Sequence, residues 1–179
     1  MEKLESLIKT YNDFPKKGIA FKDLLGIIQD SEVFRELILR MSSKQVIKNS
    51  EAIISIEARG FIFGSAISLQ ARKPMIVARK PGKLPGEIFQ ENYDLEYGSN
   101  SLSIEKEALE KFSTYAIVDD LLATGGTADC VSRLINKGGK KISGLLTVVE
   151  LIELNGRSKF DFLWNRYFQS NKLDCKNSK

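Results

Sequence analysis

Residues Tyr115–Thr127 read YAIVDDLLATGGT, and this stretch decides how the rest of the chain is understood. Tyr115-Ala116-Ile117-Val118 is a short apolar run bounded by charge, the pattern of a strand buried in a parallel sheet. Asp119 and Asp120 are expected to end that strand. Ala123-Thr124-Gly125-Gly126-Thr127 then form a small-residue loop, with Thr127 placed to cap a helix. The apolar positions Val131, Leu134 and Ile135 keep helical spacing behind it.

Such an order suits an anion. Glycines let backbone N–H groups turn inward and approach a ligand closely. Thr124 and Thr127 add hydroxyls, and a helix N-terminus favours negative charge by roughly 0.3–1 kcal/mol. One phosphate monoester fits this nest, with two carboxylates on its strand side to receive a sugar's hydroxyls. No Lys follows the glycines, so it is not the nucleoside triphosphate loop, and it is not GxGxxG either. A phosphorylated ribose suits it better. Taken singly, Asp-Asp is equally a solvated strand end and Gly-Gly a turn; the specificity lies in the whole order.

Composition bounds what surrounds this stretch. A chain of 179 residues with 42% apolar and 28% charged residues is expected to be one globular domain with a real core. No run of apolar residues approaches a membrane span, and the N-terminal MEKLESLIK is too charged for a secretory signal, so the expected location is the cytoplasm. Two cysteines, Cys130 and Cys175, make neither a disulfide framework nor a zinc site. The chain has no histidine. That excludes a Ser-His-Asp triad, a Cys-His pair and any His-ligated metal, and leaves acid–base work to Asp, Glu, Tyr, Lys or water. The net charge of +4 points to anionic partners. No stretch interleaves basic and aromatic residues over a face, so nucleic acid is not an expected partner.

Working outward, Leu4, Leu7, Ile8 and Tyr11 follow helical spacing up to Pro15, and Lys16–Asp23 reads as a loop or short strand carrying Phe21. Ser31 is expected to cap a helix running to about Ile47. A strand at Ala52–Ile56 leads into Glu57-Ala58-Arg59-Gly60 and a helix from about Phe61 to Ala71. Arg59 offers a fork of donors to phosphate oxygens; a salt bridge to Glu57 is the other reading. Met75–Ala78 is a further buried strand, running into Arg79-Lys80-Pro81-Gly82-Lys83-Leu84-Pro85-Gly86-Glu87. Those nine residues form no regular element and either close over an anion or make a solvated basic turn. Phe89–Asn92 are expected to continue the loop, with Leu95 and Tyr97 then pairing against Leu102 and Ile104 as a ribbon. Ser143–Leu151 reads as another core strand, and Trp164, Tyr167 and Phe168 as a last packed element before a frayed tail at 170–179.

Several of these segments resemble one known family in order. VDDLLATGGT is similar to the phosphoribosyl pyrophosphate (PRPP) signature of type I phosphoribosyltransferases, and its wording resembles the adenine branch. DFPKKGIAFKD resembles that branch's purine-covering hood, which implies that Ala20, Phe21 and Lys22 bind the base, with Phe21 stacked on it. The family often has Arg where this chain has Lys22. EARGFIFG matches the segment whose arginine, here Arg59, contacts pyrophosphate, and ARKPGKLPGE resembles the approach to the mobile catalytic loop, placing Arg79, Lys80 and Lys83 toward pyrophosphate. YDLEYG is similar to the motif carrying the catalytic glutamate, here Glu96, with Tyr97 beside it in the substrate site. Glu150-Leu151, Leu154 and Gly156-Arg157 resemble the ELxxLxGRxxL segment.

The resemblance implies an α/β fold: a central parallel sheet of about five strands, flanked by helices. A small N-terminal hood (1–30) and a mobile β-ribbon loop (79–104) would complete one domain, 1–179. It implies a reaction of adenine with PRPP giving AMP and pyrophosphate, in a homodimer. Ala123–Thr127 would hold the 5′-phosphate, Asp119 and Asp120 the ribose hydroxyls, and Leu121 would pack opposite Phe21 on the base. Mg²⁺ is the implied cofactor, held mainly by PRPP and through water by Asp119 and Asp120, with no dedicated protein ligands. Two other readings stay open: a phosphoribosyltransferase for another base such as guanine or xanthine, and a regulator that binds PRPP without catalysis.

Overall fold

A computed structural model describes residues 2–95 and 98–170. The chain divides into two compact units, Met1–Arg40 and Met41–Lys179.

In the first unit, α1 (Glu2–Ser6) is followed by an antiparallel hairpin of β1 (Lys9–Asn12) and β2 (Ala20–Asp23). The helical spacing that reached to Tyr11 is therefore overruled. Backbone bonds from Leu7 to Leu4 and from Ile8 to Glu5 close the helix early, and Tyr11 pairs with Phe21 across the hairpin. The hairpin turn is tied by Asp13, whose Oδ1 accepts the Gly18 N–H at 2.7 Å. After α2 (Leu25–Gln29) comes α3 (Ser31–Ser42). Asp30, not Ser31, caps it: its Oδ1 accepts the Val33 N–H at 3.1 Å. The helix expected to reach Ile47 breaks after Ser42, and a separate turn α4 (Gln45–Lys48) follows.

The second unit carries a five-stranded sheet in the order β4-β3-β7-β8-β9, parallel throughout. Its strands are β3 (Ala52–Ile56), β4 (Met75–Ala78), β7 (Thr114–Leu122), β8 (Lys141–Leu151) and β9 (Trp164–Ser170). Helices α5 (Gly60–Ala71) and α7 (Gly126–Lys137) flank it, and the short α6 (Lys106–Glu110) precedes β7. Inner strand β3 is buried at every position, as an apolar run between two neighbours must be. Ile54, Ile56, Tyr115, Ile117 and Leu145 pack against Val131, Leu134 and Ile135 of α7 in one core. Cys130 belongs to the same core, and burial pushes its thiol up to about 11.

Asp119 and Asp120 do not end β7, which runs on to Leu122. Its neighbour β8 continues alongside, pairing Asp119 with Thr147 and Leu122 with Glu150, so the backbone stays in the ladder. Phe89–Asn92 are strand rather than loop: β5 (Ile88–Leu95) pairs antiparallel with β6 (Gly98–Glu105), setting Phe89 opposite Ile104 and Glu91 opposite Leu102. This ribbon is pinned at its base by α7, where Lys137 Nζ lies 2.8 Å from Glu91 Oε1.

Candidate active site

The carboxyl ends of β3 and β7 open onto a cavity of about 410 Å³. Its wall takes Glu57, Ala58 and Arg59 from the β3–α5 turn, Asp119 to Leu122 from β7, Ala123 to Ala128 from the loop and helix start, Tyr93 from the ribbon and Thr147 from β8. Ligands of open α/β sheets bind at this edge.

The loop is shaped by glycine. Gly125, not Thr127, occupies the N-cap of α7, with φ 80° and no side-chain cap. A side chain there meets both the left-handed backbone and the Gly156 carbonyl, which lies 2.7 Å from where a Cβ would stand. The first N–H groups of α7 therefore have no side chain to satisfy them and stand beside the cavity. Thr127 instead shares a side-chain hydrogen bond with Tyr93, whose phenol is held above its ordinary value mainly by burial.

Charge is arranged on the strand side. Arg59 Nε lies 2.8 Å from Asp120 Oδ2, a carboxylate only 8% exposed. Asp119 Oδ1 accepts the Asp120 N–H at 2.9 Å. Burial pushes Asp119 well above the usual carboxylate range, and the neighbouring Asp120 charge adds to it. Asp120 is also raised by burial, with Arg59 pulling the other way. The charged form of a desolvated acid of this kind is stabilised by any cation brought beside it. Gly60 makes this packing possible, since a Cβ on it would stand 2.8 Å from Asp119 Oδ1.

Glu57 does not pair with Arg59. Its Oε2 lies 3.3 Å from Arg79 Nε and accepts the Lys80 N–H at 3.0 Å. Burial would raise this carboxyl, but those donors outweigh it and hold it below its ordinary value. Arg79 also donates to the Lys83 carbonyl at 3.1 Å, so it ties the basic loop to the β3 turn.

Of the sequence-predicted residues, Arg59, Asp119, Asp120, Leu121, Ala123, Thr124, Gly125, Gly126 and Thr127 meet in the cavity wall. Arg79, Lys80 and Lys83 are not among the described lining residues. Ala20, Phe21 and Lys22 belong to the first unit, where the Phe21 ring meets Phe14 edge-on at 5.2 Å and Lys22 Nζ donates to Thr10 Oγ1 at 2.9 Å. Glu96 and Tyr97 lie outside the described residues. Sequence reasoning missed Tyr93 and Thr147 as lining residues. Thr147 is 1% exposed, and its hydroxyl finds no hydrogen-bond partner among the described residues. Only the β7–β8 register, which sets it beside Asp119, could have revealed it.

Comparison with known proteins gives a consistent result. No family model matches the chain. It is 69% identical over 160 residues to the adenine phosphoribosyltransferase of Prochlorococcus marinus strain MIT 9515, covering 89% of this chain and 94% of that one. It is 45% identical over 156 residues to the enzyme of the same name from Clostridium perfringens, covering 87% and 91%. Among solved structures, adenine phosphoribosyltransferase of Thermoanaerobacter pseudethanolicus superposes with a TM-score of 0.87 at 36% identity, covering 94% of this chain and 99% of that one. The Saccharomyces cerevisiae enzyme, solved with an imino-altritol bisphosphate and adenine, gives 0.86 at 33% identity, with 93% and 97% covered.

Proposed function

This chain belongs to the adenine phosphoribosyltransferase family, and from that membership we propose how its residues divide the work. The protein transfers the 5-phosphoribosyl group of PRPP to adenine, giving AMP and pyrophosphate, a purine-salvage reaction. One observation carries the assignment of roles: an uncapped helix N-terminus and glycine turn adjoin two acids, Asp120 buried and Asp119 partly buried, in a single cavity.

Ala123–Thr127 bind the 5′-phosphate through the loop's backbone N–H groups and the two threonine hydroxyls. Asp119 and Asp120 receive the ribose hydroxyls. As the C1′–O bond breaks, positive charge develops on the sugar, as in other glycosyl transfers. The two carboxylates favour that charge, and Arg59 orients Asp120 and faces the leaving pyrophosphate. Arg79, Lys80 and Lys83 supply further cations as the 79–104 loop closes and excludes water. Glu96 exchanges the proton with the purine with Tyr97 beside it, Phe21 stacks on the base with Ala20 and Lys22 binding it too, and Leu121 is a further base-binding residue.

Mg²⁺ fits this donor set. No group of three acidic, Cys or His side chains is gathered among the described residues, and a cation that keeps its waters needs only one or two carboxylates plus substrate oxygens. Asp119 and Asp120 would hold it through water, and when bound it neutralises charge on the pyrophosphate. The protein works as a homodimer in the cytoplasm. Among the described residues no helix is long and apolar enough to cross a membrane.

The test is a panel of bases offered with PRPP and Mg²⁺ and read by pyrophosphate release. Adenine alone should support turnover. Preference for guanine or xanthine would move the chain to another specificity, and PRPP binding without release would make it a regulator.

A further inference from the structure

The described residues bury one carboxylate outside the cavity wall between two arginines. Glu150, 0% exposed, sits on β8 opposite Leu122, the residue that ends β7 and begins the phosphate loop. Arg157 Nε donates to Glu150 Oε1 at 2.7 Å and Arg157 Nη2 to Oε2 at 2.6 Å, a fork engaging both oxygens. Arg166 Nη1 donates to the same Oε2. The Glu150 bond pushes the Arg157 guanidinium above its ordinary value.

Beside Arg157 stands Gly156, which touches the back of the phosphate loop. A Cβ on Gly156 would lie 2.1 Å from the Ala123 carbonyl oxygen, 2.9 Å from the Gly125 nitrogen and 3.0 Å from the Thr124 carbonyl carbon. The contact is reciprocal, since a Cβ on Gly125 would meet the Gly156 carbonyl at 2.7 Å. Two backbone segments thus press together with no side chain between them. Neither Glu150, Gly156, Arg157 nor Arg166 lines the cavity.

We propose that Glu150, Arg157 and Arg166 are positioning residues for the 5′-phosphate loop, acting through Gly156. The fork fixes the 155–157 turn, and the turn holds Ala123, Thr124 and Gly125 so that their N–H groups already face the phosphate before it arrives. This rests on assigning Ala123–Thr127 to the 5′-phosphate. A loop held this way spends no binding energy on ordering itself, and a shift of about 1 Å in such a cradle is costly.

AMP carries the 5′-phosphate and pyrophosphate does not, so the two ligands separate a loop effect from a general one. Calorimetry on the whole protein compares Gly156→Ala, Arg157→Lys and, as a reference, Gly125→Ala. The AMP dissociation constant should rise about tenfold in Gly156→Ala and several-fold in Arg157→Lys, with pyrophosphate affinity within about twofold of wild type. Weakening of AMP in Gly125→Ala alone would overturn the positioning role while leaving the loop assignment standing. Unchanged AMP affinity in Gly125→Ala would defeat the loop assignment itself. Equal weakening of AMP and pyrophosphate in Gly156→Ala or Arg157→Lys, or loss of the folded state in both, would make the cluster a matter of general stability and overturn the proposal.

Discussion

Two strand-to-helix turns share the carboxyl edge of this sheet, and they are built to opposite ends. The β3–α5 turn and the β7–α7 turn both start a helix of 12 residues without a side-chain cap, and both need a glycine where another chain segment comes close. At the first, however, the protein supplies its own charges: Arg59 engages Asp120, and Glu57 engages Arg79 and the Lys80 N–H. At the second the turn is Ala123-Thr124-Gly125, without a charged side chain. The difference teaches which turn waits for a ligand. A helix start already framed by ion pairs serves as an electrostatic scaffold, whereas one left with bare N–H groups and small residues is the turn we propose as the receptor for an anion.

The largest effect should come from breaking the charged side of that contrast. Asp120→Asn should lower turnover by about a hundredfold or more, on the scale of losing a group that stabilises transition-state charge, with a much smaller change in melting temperature. Comparable losses in both would make Asp120 a structural partner of Arg59.

Next, the neutral turn should be intolerant for a backbone reason. Gly125→Ala forces a left-handed φ of 80° and a clash with the Gly156 carbonyl. The expected costs are at least about 1 kcal/mol of stability and a clear rise in the PRPP KM with the adenine KM little changed. An unchanged PRPP KM would mean that the turn is not the phosphate receptor.

Asp119 joins the two turns and gives a test by pH. Its native pKa is raised, while the unfolded chain releases that proton near pH 3.9, so approximately from there upward the native state holds more protons. Stability from this group is therefore lost as pH rises from about 4 through the raised native value. Asp119→Asn should remove that loss, making the ligand-free variant more heat-stable than wild type at pH 7.5, with the gap closing toward pH 4. A variant less stable at pH 7.5 would show that the buried charge has a partner worth more than its burial costs.

Smaller still is the expected effect at the base. Phe21→Ala should raise the adenine KM by roughly 5- to 150-fold if a stack of about 1–3 kcal/mol is lost, leaving the PRPP KM nearly alone. Smallest is Thr147→Val, which gives up a hydroxyl that has no partner among the described residues. Stability should hold or rise, and the PRPP KM should rise about 2- to 10-fold, the worth of one hydrogen bond to ligand. No kinetic change would make Thr147 a mere wall of the cavity.

The stretch 115–127 was legible because its meaning is local. Alternatives to a glycine turn at a helix start are few, and apolar runs of four or five residues bounded by charge reproduce β3 and β4 residue for residue. Strand ends were less legible. β7 outlasts its apolar run because β8 keeps pairing with it, which no residue in 115–122 announces. The first helix was overextended because Leu4, Leu7, Ile8 and Tyr11 repeat at helical spacing while Tyr11 answers to a partner at Phe21. In the ribbon, Phe89 and Glu91 read as loop because the residues that pair with them, Ile104 and Leu102, lie more than ten positions further along the chain.

By itself, then, the order of residues determined a glycine turn at a helix start and the two acids next to it. Those properties belong to neighbours in the chain and to the conformational freedom of glycine. Only tertiary structure decided that Arg59 faces Asp120 rather than Glu57, that Thr147 and Tyr93 join the cavity wall, and that Gly156 backs the Ala123-Thr124-Gly125 turn. Each of these depends on strand register and on how closely two distant backbones approach, quantities that exist only once the sheet has formed.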